Sequence, residues 1–406
     1  MPPQKTIQII AKPTGPLCNL DCNYCFYLEK EQLFNRDKCN GNKDYMMSHE
    51  VLEAYIHQQL ETESEGEKHF VWQGGEPTLL GVDYFREIVT LQKQYAGRNR
   101  IRNSLQTNGV LLDDTWCKFL AEHDFLVGIS IDGPRELHDM YRIDKAGKPT
   151  FEKVMQSLEL LQKFQVEFNT LTTIHDKNAG FPLEIYHFLK QIGSRFIQFI
   201  PIVERTATHH QEGPLSNPEP TEGIEGFDLS EETVESQQFG TFLNTIFDEW
   251  IRHDVGQVFI QNFDVALEAW SGHPSSLCVF SETCGLDPVI EHNGDLYACD
   301  HFVYPEYKFG NILTDSLETA MQSPQQVKFG QDKRDTLPSE CHICEYRFAC
   351  HGGCPKHRFI KTEPGLNYLC SGYKTYFKHI NPFMKFMANE LRHRRPPANV
   401  MSWIQR

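Results

Sequence analysis

His69-Phe70-Val71-Trp72-Gln73-Gly74-Gly75-Glu76-Pro77 is an apolar, aromatic run that stops at a glycine-rich turn. Such a run reads as a buried strand ending in a loop whose backbone must approach something closely. Three other strand ends carry the same mark. Residues 6–11 run into Cys18, Cys22 and Cys25, 102–107 end at Asn108-Gly109, and 126–131 end at Asp132-Gly133-Pro134. With 168–174 and 196–202 this makes six predicted strands, each rich in β-branched or aromatic residues. Helical patterns fill the gaps at 48–61, 84–95, 113–122, 150–164 and 183–191. Consecutive βα units predict a parallel sheet in an α/β fold, and a partial (β/α)6 TIM-like barrel if the sheet curls. In that architecture chemistry sits at the C-terminal strand ends, where the unusual residues fall.

The chain has 406 residues, 40% hydrophobic and 23% charged, with 39 basic and 55 acidic side chains for a net charge of −16. That composition is ordinary for a soluble globular chain, and the acidity argues against nucleic acid as a partner. The apolar runs at 125–131 and 196–203 are too short to span a membrane. The N-terminus carries no apolar signal core, which predicts the reducing cytoplasm, where thiols stay available for metals. Thirteen cysteines, an odd number in clumps, point to metal or cluster ligation rather than a disulfide scaffold.

The expected divisions are a barrel over 1–204, an acidic loop or linker over 205–238, a helical connection over 239–277, a cysteine-rich domain over 278–380 and a tail over 381–406. Nine acidic residues lie between Glu204 and Glu235, mixed with Gly, Pro, Ser and Thr, which reads as a solvated spacer. The tail begins at the end of a helical pattern and includes the basic Arg392-His393-Arg394-Arg395.

Cys18-x3-Cys22-x2-Cys25 places three thiols within eight residues of one loop. A closed zinc site wants four ligands, and the next cysteine, Cys39, is 14 residues on. Three cysteines on a four-iron cluster leave one iron open to an outside ligand. The triplet, with Tyr24 before its third cysteine and Gly74-Gly75-Glu76-Pro77 after strand two, resembles the radical S-adenosylmethionine (SAM) superfamily. The resemblance implies a 4Fe-4S cluster on Cys18, Cys22 and Cys25 with SAM on the open iron. It also implies SAM contacts at Tyr24, Gly74, Gly75, Glu76, Ser130, Arg142 and Val203. Read as residues alone, Ser130 and Val203 fit ordinary strand-end packing, and Glu76 fits a turn.

Eight more cysteines lie between Cys278 and Cys370, and Cys341-x2-Cys344 is also a common zinc half-site. Behind a radical SAM barrel, the pattern resembles the SPASM extension with two auxiliary 4Fe-4S clusters. The resemblance implies interleaved ligand sets: Cys278, Cys284, Cys299 and Cys354 for one cluster, and Cys341, Cys344, Cys350 and Cys370 for the other. Cys117 reads as a small core residue, and Cys39 has no evident role.

The stretch from Tyr297-Ala298-Cys299-Asp300-His301 to Gly310-Asn311-Ile312, together with Arg142-Ile143-Asp144-Lys145, resembles anaerobic sulfatase-maturating enzymes. That resemblance implies oxidation of a sulfatase cysteine or serine to Cα-formylglycine. A 5′-deoxyadenosyl radical would take a Cβ hydrogen, Asp300 would accept the thiol or hydroxyl proton, and an auxiliary cluster would accept an electron. It implies a sulfatase polypeptide as substrate and flavodoxin or ferredoxin as electron donor. Asp300 read alone fits a turn cap. Two other readings stay open: a SPASM enzyme making thioether or carbon–carbon crosslinks in peptides, against which stand Asp300 and the few residues ahead of strand one, and a zinc-organised adaptor.

Overall fold

The computed structural model describes residues 8–27, 30–34, 45–62, 66–207, 227–360 and 365–405. Six strands match the predicted series: β1 (Ile10–Lys12), β2 (Glu67–Trp72), β3 (Arg100–Thr107), β4 (Leu126–Ser130), β5 (Phe168–Ile174) and β6 (Phe196–Pro201). Two of the helices between them start where the sequence supplies a side-chain cap. Ser48 Oγ accepts from Val51 N at 3.3 Å ahead of His49–Glu61, and Asp113 accepts from Trp116 N at 2.8 Å ahead of Asp114–Glu122. Each cap satisfies a backbone donor that the first helical turn leaves open.

The chain divides into two compact units. The first contains 1–130, 139–168 and 285–330. In it β1 to β4 pair in parallel and in sequence order, with Ile10 opposite Val71, Phe70 opposite Asn103 and Leu105 opposite Val127. A parallel strand from the cysteine-rich region, Val289–Glu291, lies on the other side of β1, with Ile10 opposite Val289. Asp295–Tyr297 and Lys308–Asn311 continue outward from it as an antiparallel ribbon. Val289 and Ile290 are fully buried, so their apolar side chains account for the added strand.

The second unit contains 131–138, 169–284 and 331–406. Here β5 and β6 pair in parallel, Thr170 opposite Ile197. Two long helices, Ser236–His253 and Cys370–Arg392, cross closely: a Cβ on Gly240 would lie 2.4 Å from Gly372 O, and one on Gly372 1.9 Å from Ser236 O. Among the described residues no helix is long and apolar enough to cross a membrane.

Three of the expected divisions meet continuous structure at their edges. Residues 285–330 cluster with the first unit, because Val289–Glu291 pairs with β1. The acidic 205–238 stretch begins and ends in structure: Arg205–Ala207 pairs with Phe227–Leu229, and Glu235 caps the helix from Ser236 by accepting from Gln238 N at 2.7 Å. Its middle, 208–226, lies outside the described residues, as does Cys39. The tail is not separate at 381. Helix Cys370–Arg392 runs through that point, since Tyr376, Phe377, Ile380, Met384 and Met387 form one buried face. After it, Glu390 accepts from Arg395 Nε at 2.9 Å and Asn399 Nδ2 at 2.6 Å, which folds the basic stretch back.

Candidate active site

The cysteine triplet sits on a loop held from three directions within the first unit. From β2, Gly75 N donates to Gly15 O at 2.8 Å and Glu76 N to Leu17 O at 2.9 Å. A Cβ on Gly75 would lie 2.0 Å from Leu17 O, and Gly74 has φ +144° beside Gly15 O. The two glycines thus permit one loop to lie against another, a closer need than any ligand contact visible in the sequence. From β3, Asn108 Nδ2 donates to Asn19 Oδ1 at 2.7 Å and faces Cys18 Sγ at 3.8 Å. From the segment after β4, Ile143 O accepts from Asp21 N at 2.9 Å.

Glu76 is buried and wholly engaged in this frame. Oε1 accepts from Thr78 N at 3.0 Å, Thr78 Oγ1 at 2.5 Å and Thr107 Oγ1 at 2.8 Å, while Oε2 accepts from Asn108 N at 2.7 Å. Burial raises its pKa, and the same hydrogen bonds offset only part of that rise. Arg142 and Tyr24 come together, the guanidinium 5.8 Å from the ring centroid, with Tyr141 edge-on to Tyr24 at 6.0 Å. Ser130 accepts from Gln106 Nε2 at 3.0 Å. Val203 is buried in the other unit.

Asp300 opens a short 3-10 turn, Asp300–Phe302, just after Cys299. Pairing of Val289–Glu291 with β1 brings this turn to the β1 C-terminus. There Lys12 Nζ, 1% exposed, lies 2.5 Å from Asp300 Oδ1. Lys12 also stands 4.5 Å over the Tyr27 ring, and the Tyr27 hydroxyl donates to Glu291 Oε1. Burial first, then Glu291, holds Tyr27 far above the usual phenol range. Phe26 packs edge-on against His301 at 5.1 Å. The segments Cys25-Phe26-Tyr27 and Cys299-Asp300-His301 are therefore neighbours.

Lys12, Tyr27 and Glu291 were not among the residues expected from sequence. The available signals were a lysine closing the apolar run Ile9-Ile10-Ala11, a tyrosine two places after Cys25, and a glutamate after Val289-Ile290. Each is a polar group that its strand or loop would bury.

The thiols fit cluster ligation. Among the described residues no disulfide forms. Burial, and then the Glu76 carboxylate, pushes the Cys18 thiol up to about 12, so a thiolate there needs a positive partner such as iron. In the second unit Cys341, Cys344, Cys350 and Cys370 line one shared pocket, walled by Tyr373 and Phe377. Four thiols around a shared space suit a polynuclear group better than one tetrahedral ion, whose ligand sulfurs must close to about 4 Å of each other. Cys278, Cys284 and Cys354 lie in this same unit and Cys299 in the first. Cys117 is fully buried on Asp114–Glu122.

Comparison with known proteins agrees with this chemistry. The Radical SAM superfamily profile matches residues 13–189 and the SPASM iron-sulfur cluster-binding domain profile matches 278–345. Fold and site thus define a radical SAM enzyme: a TIM-like α/β fold with a C-terminal SPASM domain, using SAM and multiple 4Fe-4S clusters. The chain is 46% identical over 404 residues to the serine-type anaerobic sulfatase-maturating enzyme of Bacteroides thetaiotaomicron, covering 99% of this chain and 96% of that one. It is 33% identical over 397 residues to the cysteine-type enzyme of Clostridium perfringens (strain 13 / Type A), covering 97% and 100%. Native anSMEcpe solved with bound AdoMet and the Cp18Cys peptide aligns at a TM-score of 0.80 and 32% identity, over 95% of this chain and 99% of that one. The chain belongs to the anaerobic sulfatase-maturating enzyme family.

Proposed function

We propose that this chain oxidises a serine or cysteine of a sulfatase polypeptide to Cα-formylglycine, with Asp300 taking the hydroxyl or thiol proton. The observation that carries this reading is the Lys12–Asp300 pair beside the Cys25-Phe26-Tyr27 segment. When bound, SAM and the clusters supply the radical that removes a Cβ hydrogen and the sink for one electron. The chain's own residues do the rest. Cys18, Cys22 and Cys25 hold the first cluster, and Tyr24, Gly74, Gly75, Ser130, Arg142 and Val203 are assigned to SAM. Glu76 belongs there through the turn it ties. The auxiliary ligands are Cys278, Cys284, Cys299 and Cys354, and Cys341, Cys344, Cys350 and Cys370.

Asp300 is suited to accept a proton because it is partly exposed, at 18%, while its partner Lys12 is buried. Its Oδ1 is buried against Lys12 Nζ, so a substrate proton would go to the other carboxylate oxygen. Loss of that proton and of the Cβ hydrogen, with one electron removed, turns –CH2OH into an aldehyde. A cysteine gives a thioaldehyde, which water converts to the same product. Flavodoxin or ferredoxin in the cytoplasm would supply the reducing electron. Because the more similar of the two relatives is serine-type, serine is the first substrate to offer.

The test uses anaerobic, reconstituted protein with reductant, SAM and a sulfatase peptide carrying serine or cysteine, following peptide mass and 5′-deoxyadenosine together. A serine peptide lighter by two hydrogens establishes the reaction; deoxyadenosine with an unchanged peptide from both substrates rejects it. Asp300→Asn is expected to keep its clusters and SAM cleavage while aldehyde formation drops about 10²-fold or more, the usual scale of general-base loss.

A further inference from the structure

Two buried cations in the second unit have no part in the reaction as read above. Arg358 is 8% exposed and Lys333 1%. Arg358 Nε donates to Gly352 O at 3.1 Å, Nη1 to Lys333 O at 2.7 Å, and Nη2 to His351 O at 3.0 Å. His351, Gly352 and Gly353 have φ of +46°, +77° and +64°, three successive left-handed residues, the first of which bears a side chain. Such a turn is costly by itself, and here its carbonyls converge on one guanidinium. These three residues are the whole connection between Cys350 and Cys354, which belong to different auxiliary ligand sets. A Cβ on Gly352 would lie 2.7 Å from Arg358 Nη2, so the guanidinium fills the space against the turn.

Lys333 completes the arrangement. Its Nζ donates to Cys278 O at 2.5 Å and to Val279 O at 3.0 Å, on the backbone of the other ligand set. The thiols of Cys341, Cys284, Cys354 and Cys350 all lie within electrostatic reach of the guanidinium, and those of Cys284, Cys354 and Cys278 within reach of the lysine amine. A guanidinium is permanently charged and presents five donors in a fixed planar fork, which an ammonium with three donors on one nitrogen does not.

We propose that Arg358, assisted by Lys333, is the shared buried counter-charge of both auxiliary clusters, bracing the turn between their ligands and raising both reduction potentials. The inference rests on reading the C-terminal cysteines as two clusters. A cluster bound by four thiolates gains negative charge on reduction, and a fixed cation in a poorly solvated setting stabilises that reduced form. Such clusters are better electron acceptors. Arg358 and Lys333 are positioning and potential-setting residues; neither touches the reacting atoms.

Potentiometric titration of the full-length holoenzyme, followed by electron paramagnetic resonance, tests this without any turnover. Added SAM marks the first cluster's signal and so separates it from the auxiliary ones. Iron and sulfide counts on the parent protein test the cluster reading by itself: a parent without auxiliary clusters rejects that reading, whatever the variants do. Arg358→Gln is expected to lower the ratio of reduced to oxidised form of both auxiliary clusters about tenfold at fixed poise, about 59 mV for a one-electron couple. Lys333→Gln keeps two donors for the same carbonyls and is expected to displace only the cluster of Cys278, Cys284 and Cys354. Arg358→Lys retains the charge and is expected to recover most of the potential. If Arg358→Gln fails to load iron, Lys333→Gln decides: a negative shift, or iron lost with both hydrogen-bond donors still present, supports the counter-charge. Parent potentials at full iron content in the glutamine variants overturn it, and so does an Arg358→Lys protein displaced as far as Arg358→Gln.

Discussion

Lys12 separates this site from the one legible in the sequence. A lysine at 1% exposure must be paired, and its partner Asp300 lies almost three hundred residues away in the chain. Replacing it by methionine removes the charge that faces Asp300 and the cation above Tyr27. Lys12→Met is therefore expected to lower aldehyde yield about tenfold or more while SAM cleavage continues, the pattern of a step uncoupled from the radical. The double variant Lys12→Met/Asp300→Asn should lose no more than Asp300→Asn alone, because the lysine acts through that carboxylate. Additive losses, measured as peptide product against deoxyadenosine, would put Lys12 elsewhere in the reaction. Asp300 was a candidate from sequence through the resemblance carried by the segment at Cys299. Its neighbours were not, because nothing local relates Tyr27 to Glu291 or Lys12 to Asp300.

At the scale of elements, strand and helix positions were recovered nearly residue for residue where apolar runs ended in caps or glycines. The β5 bounds agree at both ends, and the helices expected over 48–61 and 113–122 begin one residue later, behind Ser48 and Asp113. The purpose of the β2 turn differed. Gly75 is needed because the turn lies on the Gly15–Leu17 backbone that leads into Cys18. Gly75→Ala, with its Cβ 2.0 Å from Leu17 O, must displace that loop at a cost of about 1–3 kcal/mol, the usual range for overpacking. It should lower the melting temperature and deplete the iron of the first cluster while the auxiliary signals persist. Full iron content in this variant would show that the loop has slack the structure does not display.

For the whole molecule, the second unit carries a pH dependence of its own. Burial, and then the nearby Glu268, pushes the Asp264 carboxyl up to about 7 on helix Gln261–Trp270. A carboxyl whose folded pKa lies above its unfolded value binds its proton more tightly when folded. Stability should therefore fall as pH rises from the ordinary carboxylate range to about 7, and stay level beyond. Asp264→Asn should raise the melting temperature at pH 8 and leave it unchanged below pH 4; equal melting temperatures at both pH values would reject the assignment. The composition announced none of this, since Asp264 looks like any acidic residue in a first helical turn.

What the sequence determined by itself was local. Apolar periodicity, caps and glycines set the alternating strands and helices, and the cysteine spacings named the chemistry, because both depend on residues close along the chain. Tertiary structure decided which distant segments meet. The apolar Val289-Ile290 edge pairs with β1, and that pairing carries Asp300 to Lys12. The Gly240–Gly372 crossing likewise joins the helix after the acidic stretch to the one that begins at Cys370. Strand edges and helix faces offer many partners of similar local propensity. Burial of the whole apolar surface chooses among them, and no short window of sequence contains that sum.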